Sequence, residues 1–216
     1  MPTSRSYGDA CAIARALDVV GERWALLVVR ELLLGSQRFS DLRRALPAAS
    51  SNLVADRLRE LSAQGVIRRR KLPAPASSWV YELTEWGTDL EPILLALGGW
   101  AMHVPLPPAA TLSATSVLLF LRGSARPDPG APSATYRIEL DDRVWAVRTE
   151  AGRLDVRPGE PDRPDAALRT DPATLNALLD ASLDLDAAVS DGSVVTAGDR
   201  PALRRLIGAV ASPAAA

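Results

Sequence analysis

The chain has 216 residues, 47% of them hydrophobic and 24% charged, with a formal net charge of -1; it can hold one large or two small globular domains and is not basic throughout. The single cysteine, Cys11, excludes an intrachain disulfide, and the N-terminus Met1-Pro2-Thr3-Ser4-Arg5-Ser6 lacks the apolar stretch of a signal peptide. Apolar runs such as Trp24 to Val29 fall far short of the ~20 residues a membrane span needs, so a soluble, cytoplasmic protein with no membrane partner is expected.

In chain order, Asp9 predicts a helix N-cap, followed by Ile13, Leu17 and Val20 at helical spacing and by Gly21 as a stop. A second helix is expected from about Glu22 to Leu34, ending at Gly35. Phe39, Leu42 and Leu46 mark a short third helix closed by Pro47. A fourth begins at Ser50 or Ser51, carries Val54, Leu58 and Leu61 as its core stripe, and stops at Gly65. The period then changes to two. Val66 to Leu72 and Trp79 to Leu83 read as strands joined by the loop 73–78. Thr84 predicts the cap of a long helix bearing Leu90, Ile93, Leu94, Leu97 and Ala101, with Pro92 bending it or lying in its first turns.

Residues 105–111 (Pro-Leu-Pro-Pro-Ala-Ala-Thr) read as a proline-rich linker. Beyond them Tyr136, Ile138 and Leu140 share one strand face, Asp141-Asp142 turns the chain, and Val144 to Thr149 returns. Ala151-Gly152 turns it again into Leu154 and Val156, and a Pro/Gly/Asp loop covers 158–165. Asp171-Pro172 starts a helix with Leu175, Leu178 and Leu179 on its buried face. A strand near Val194-Val195 and a helix opened by Asp199 and Pro201 complete the domain. The expected fold class is α+β: a winged helix-turn-helix domain over 1–104, a smaller sheet-and-helix domain over 112–210, and a disordered tail over 211–216.

Two helices joined by a tight turn and followed by a two-stranded wing suit duplex DNA, because a helix fits the major groove while its predecessor braces the backbone. Residues 38–71 supply nine basic side chains opposed only by Asp41, Asp56 and Glu60, which is the footprint phosphate contacts require. With Val54, Leu58 and Leu61 inward, Asn52, Ala55, Asp56 and Arg59 turn outward, and Ser51 lies at the margin. Asn52 can pair with adenine, and Arg59 can reach guanine or a phosphate. The candidate DNA-binding residues are Arg38, Arg43, Ser50, Ser51, Asn52, Ala55, Arg57, Arg59, Arg68, Arg69, Arg70 and Lys71. The competing reading is a solvated charged face that binds nothing.

Specific runs carry a resemblance. They are Ala16 to Trp24 (ALDVVGERW), Leu26 to Gly35 with Arg30-Glu31-Leu32-Leu33, Arg38 to Leu42 (RFSDL), Leu46-Pro47 and Arg57 to Leu61 (RLREL). Gly65-Val66-Ile67, Tyr81 to Thr84 (YELT), Gly87, Leu90 and Trp100 complete the set. From Cys11 to Trp100 the chain resembles the HxlR family of winged-helix regulators, a relative of the MarR type. The resemblance implies a homodimer on a palindromic operator in double-stranded DNA, joined through the first and last helices. It also implies a reactive role for an N-terminal cysteine, which makes Cys11 a redox candidate. Helix N-termini and nearby cations such as Arg15 favour thiolates, although free cysteines commonly just pack. The family's domain normally stands alone, and here a second domain follows.

That second domain resembles the sterol-carrier-protein type. The matching pieces are the strand Ala166 to Arg169, the Asp171 helix start, Leu175 to Leu179 (LNALL), Asp191-Gly192, Ala197-Gly198-Asp199 and Ala202-Leu203. The resemblance implies a cavity for an apolar or small organic effector, and the candidate lining residues are Leu119, Leu121, Trp145, Leu178, Leu179 and Val189. The competing readings are a domain that only dimerises, and a lipid carrier or interaction protein that uses the winged helix for dimerisation. The lone histidine, His103, has no metal-ligand or catalytic partner at a recognisable spacing, and Asp141-Asp142 serves a turn. No catalytic residue, metal or cofactor is implied.

Overall fold

Helical periodicity dominates up to residue 104, and beyond it strands and helices share the chain about equally. The computed structural model describes residues 6–74, 77–105 and 110–210, and the chain divides into two units, Met1–Pro105 and Leu106–Ala216. Most of the expected linker, residues 106–109, and the tail 211–216 lie outside the described residues.

The first unit runs α1 (Ala12–Val20), α2 (Ala25–Leu32), α3 (Phe39–Ala45), α4 (Ser51–Ala63), β1 (Ile67–Lys71), β2 (Trp79–Leu83), α5 (Glu85–Thr88) and α6 (Glu91–Trp100), with a 3-10 turn over Ala101–His103. Its core gathers Val28, Val29 and Leu32 of α2, Leu42 of α3, Val54, Leu58 and Leu61 of α4, and Ile67 of β1. Each such side chain removed from water contributes ~1.5–3 kcal/mol before chain entropy is charged against it. Ser50 is the cap of α4, its Oγ accepting from the Leu53 N–H at 3.2 Å. Gly65 at φ 77 then reverses the chain into β1. β1 and β2 pair antiparallel from Ile67↔Leu83 to Lys71↔Trp79. Gln37 adds a single antiparallel bridge to β2, exchanging backbone bonds of 2.9 and 2.8 Å with Tyr81.

Three helix boundaries differ from the sequence expectation. Cys11, not Asp9, occupies the N-cap of α1, because the Asp9 carboxylate closes a local turn by accepting the Cys11 N–H at 2.8 Å. α2 starts at Ala25 rather than Glu22, because Trp24 takes a left-handed φ of 78, a conformation a helix interior cannot include. The long helix after Thr84 is two helices. Thr84 caps only α5, and Pro92 lies in the first turn of α6, where it lacks the N–H that a continuous helix would have bonded to Thr88.

The second unit runs α7 (Ala114–Ser124), β3 (Ala134–Leu140), β4 (Arg143–Glu150), β5 (Arg153–Pro158), β6 (Ala166–Thr170), α8 (Pro172–Leu179), α9 (Leu185–Ser190), β7 (Val195–Gly198) and α10 (Arg200–Gly208). The sheet order is β5-β4-β3-β6-β7, with β3 and β6 parallel and the other pairs antiparallel. Alternation along β3 buries Ala134, Tyr136, Ile138 and Leu140 on one face, joined by Trp145, Val147 and Thr149 of β4. Asp141 and Asp142 both adopt positive φ, 48 and 62, as a two-residue hairpin turn demands. α7 and α9 escape prediction from periodicity. α7 is buried at Ala114, Thr115, Val117, Leu118, Leu119 and Leu121, so it shows no polar face to reveal a helical period. Among the described residues no helix is long and apolar enough to cross a membrane.

Candidate nucleic-acid interface

α4 presents a surface because its other side is committed. Val54, Leu58 and Leu61 are buried, while Ser51, Asn52 and Arg59 stand exposed and Ala55 is half-buried between them. Ser51 and Asn52 occupy the first turn, where free backbone N–H groups and the helix dipole favour a negative partner. Ser50 spends its oxygen on the cap but keeps its hydroxyl proton to donate. Arg59 is exposed and paired with Asp56 one turn back, and Arg38 is exposed at the start of α3. An amide that can both donate and accept, an arginine and helix-end N–H groups together can read a base edge and hold phosphates.

Two of the sequence candidates are used elsewhere. Arg57 is only 9% exposed. Its guanidinium pairs with Glu60 at 2.7 Å and with Glu22 at 3.4 Å, tying α4 to the α1–α2 turn. It lies three residues from Val54 and four from Leu61, so helical geometry puts it beside the buried stripe rather than opposite it. Arg43 turns back to donate to the Ala49 carbonyl, bracing the α3–α4 turn. Both position α4.

The wing divides its four cations between two faces, because cross-strand partners share a face. Arg68 and Arg70 point to the side of Glu82 and pair with it at 2.8 and 2.9 Å. The Arg70 hydrogen bond is the largest influence holding the Glu82 carboxyl below its ordinary value, against a smaller opposing effect of burial. Arg69 and Lys71 share the opposite face with Trp79 and Tyr81, and the Arg69 guanidinium lies 4.4 Å from the Trp79 ring centre. Trp79 was not among the sequence candidates. Its place opposite Lys71 follows from the register, which two flanking strands of five residues could have suggested.

In the second unit the effector candidates fall mostly on packed core. Leu119, Leu121, Trp145, Leu178 and Leu179 are all buried, and Val189 is half-buried on α9. The sheet's alternation aims Trp145 at the helix-covered face, where it fills space instead of lining it. A recess of about 350 Å³ lies elsewhere, between the 126–132 loop, the Tyr136 and Thr149 side of the sheet, and the end of α10. Cys11 is exposed at the start of α1.

Comparisons with known proteins follow this division. Residues 19–106 match the model of the HxlR-like helix-turn-helix, and residues 122–210 match that of the SCP-2 sterol transfer family. The chain is 41% identical over 87 residues to an HTH-type transcriptional regulator of Bacillus subtilis strain 168, YvaP, spanning 40% of this chain and 81% of that one. It is 33% identical over 86 residues to the HTH-type transcriptional regulator YodB of the same organism, spanning 40% of this chain and 77% of that one. A solved structure of quinone-bound YodB is 29% identical, covers 41% of this chain and 93% of that chain, and has a TM-score of 0.36.

Proposed function

We propose that this chain, which belongs to the HxlR-like helix-turn-helix family of transcriptional regulators, binds a palindromic operator as a homodimer and is switched by a small organic ligand of its second unit. The observation that carries sequence-specific binding is the first turn of α4, where Ser51 and Asn52 stand free while the opposite side is buried core. In this reading Asn52 reads a base, Ser50, Ser51, Ala55 and Arg59 line the groove, and Arg38, Arg69 and Lys71 hold phosphates. Asn52→Ala is expected to lower operator affinity by ~1–3 kcal/mol, about 5- to 150-fold, and to leave non-specific binding nearly intact. Gel shifts of the full chain on its own upstream region and on unrelated DNA make the comparison. A proportional loss on both would remove Asn52 as a base reader.

The wing gives a second test. Arg69→Ala with Lys71→Ala is expected to weaken binding equally on all sequences and to flatten the salt slope by ~0.9 for each phosphate that the wing no longer neutralises. Glu82→Gln should do the reverse, raising non-specific affinity by freeing Arg68 and Arg70. The folded-state Glu82 carboxyl is lowered, so its contribution to stability is present above the ordinary carboxylate range and disappears only as pH falls through the lowered value. Wing charge should therefore stay constant between about pH 5 and 8. An unchanged salt slope in both variants would mean that the wing does not touch the backbone.

One observation favours a second mode of control. Cys11 is exposed, and a relative, YodB, has been solved with quinone bound. If a thiol adduct at Cys11 releases DNA, Cys11→Ser will bind the operator normally and ignore a quinone challenge. Retained quinone sensitivity in that variant would exclude the thiol.

A further inference from the structure

We propose that the second unit takes a compact aromatic carboxylate in the recess at the end of α10, rather than a lipid within its core. The proposal rests on the reading of this unit as ligand-responsive and supplies its site and ligand class. At about 350 Å³ the recess falls at the low end of small-molecule sites, which run from roughly 300 to 1,000 Å³. Leu119, Leu121, Trp145, Leu178 and Leu179 are buried core, and an internal lipid would have to displace such side chains.

The recess has a fixed cation. The Arg126 Nη1 donates to the carbonyls of Gly123 at 2.9 Å and Ala125 at 2.8 Å. Its backbone N–H donates to the Ala209 carbonyl at 2.7 Å, beside the bridge between Ala125 and Val210. No carboxylate among the described residues forms an ion pair with it, so the charge is held in place and left to a ligand. Arg205 adds a second cation, shared with Asp199 at 3.6 Å. Asp128 lines the recess too, but its carboxylate accepts the Gly130 N–H at 2.8 Å, and the two arginines outnumber it.

Thr149 supplies the second polar contact. It continues the inward row of Trp145 and Val147 on β4, is only 8% exposed, and its hydroxyl has no hydrogen-bond partner among the described residues. The hydroxyl is not sealed from solvent, and at the recess it can donate to a ligand carboxylate in place of water. Pro127, Pro132 and Leu206 form the remaining apolar wall, and the buried Tyr136 borders it with its hydroxyl donating to the Ala202 carbonyl at 3.3 Å. Flat apolar walls beside a fixed guanidinium suit a ring bearing a carboxylate.

The test is calorimetric titration of the full chain with 2-naphthoate, its neutral counterpart 2-naphthamide, and oleate. Naphthoate should bind at least tenfold more tightly than naphthamide. Arg126→Gln should erase that preference, and Thr149→Val should weaken naphthoate several-fold. Equal binding of the two naphthyl compounds, an Arg126→Gln variant with undiminished preference, or binding of oleate alone would overturn the proposal. Operator gel shifts on the same samples separate it from the switch. Naphthoate that binds through Arg126 without moving operator affinity leaves the recess standing and removes the switch at this site. Operator release by another small molecule, with no naphthoate binding, leaves the switch and removes the recess.

Discussion

Replacing Ile93 and Leu97 with aspartate is expected to turn a dimer of the full chain into a monomer and to abolish operator binding at nanomolar concentrations. Ile93 is 57% exposed, Leu97 45% and Trp100 73%, and they stand four and three residues apart on one face of α6. The other side of α6 is already spent, since Leu94 packs on the core with Leu90 before it. α1 shows a similar surplus, with Ile13 and Leu17 exposed a helical turn apart. Apolar stripes left open in this way support a partner helix, and two-fold symmetry makes a second copy the natural one. Two carboxylates per chain would enter that interface twice, each at a cost of several kcal/mol, so the dimer constant should weaken by at least about 100-fold. Because these positions face solvent in the single chain, its own melting should change little. Light scattering gives the answer: a wild-type particle of 23.0 kDa at micromolar concentration, or an unchanged dimer in the variant, would defeat the idea.

Gly87→Ala should destabilise the first unit by ~3 kcal/mol or more, for a reason of space alone. A Cβ at Gly87 would stand 2.0 Å from the Val66 carbonyl oxygen and 3.2 Å from the Leu83 Cδ2. The oxygen cannot yield, since it accepts the Thr84 N–H at 3.0 Å, while the Thr84 hydroxyl bonds the Gly65 carbonyl at 2.7 Å. α5 would have to lift from the start of β1, breaking the cap that seats it. For a unit of about this size the melting temperature should fall on the order of 10 °C or more. Melting followed by circular dichroism on the full chain would show it. A change within about 2 °C would mean that α5 can shift without cost.

Several features were legible in the residues because local rules govern them. The cap at Ser50 or Ser51, the stripe Val54, Leu58 and Leu61, the stop at Gly65 and the two wing strands need only a helical period, a strand period and a residue tolerant of positive φ. The Asp141-Asp142 hairpin was legible for the same reason. The fate of Arg57 was half legible. Its spacing from Val54 and Leu61 placed it by the core, yet a string of basic residues draws attention to charge rather than to angle. α7 was illegible to periodicity, since a helix buried on most sides has no polar face to mark its turn.

By itself, then, the sequence determined the order of elements in the first unit as far as β2, the outward face of α4 and the alternating strands of the second unit. Each of these depends on neighbours a few residues away. Only the tertiary structure decided which charges are free. Glu82 is shared between Arg68 and Arg70 from the partner strand, and Glu22 reaches Arg57 across a turn. The recess is a product of folding in the same sense. Arg126, Thr149 and Arg205 come from a loop, a strand and a helix far apart in the chain, and no local period links them. Side-chain periodicity fixes where a residue points, but its partner depends on chain that returns from a distance, and the partner decides what its charge can do.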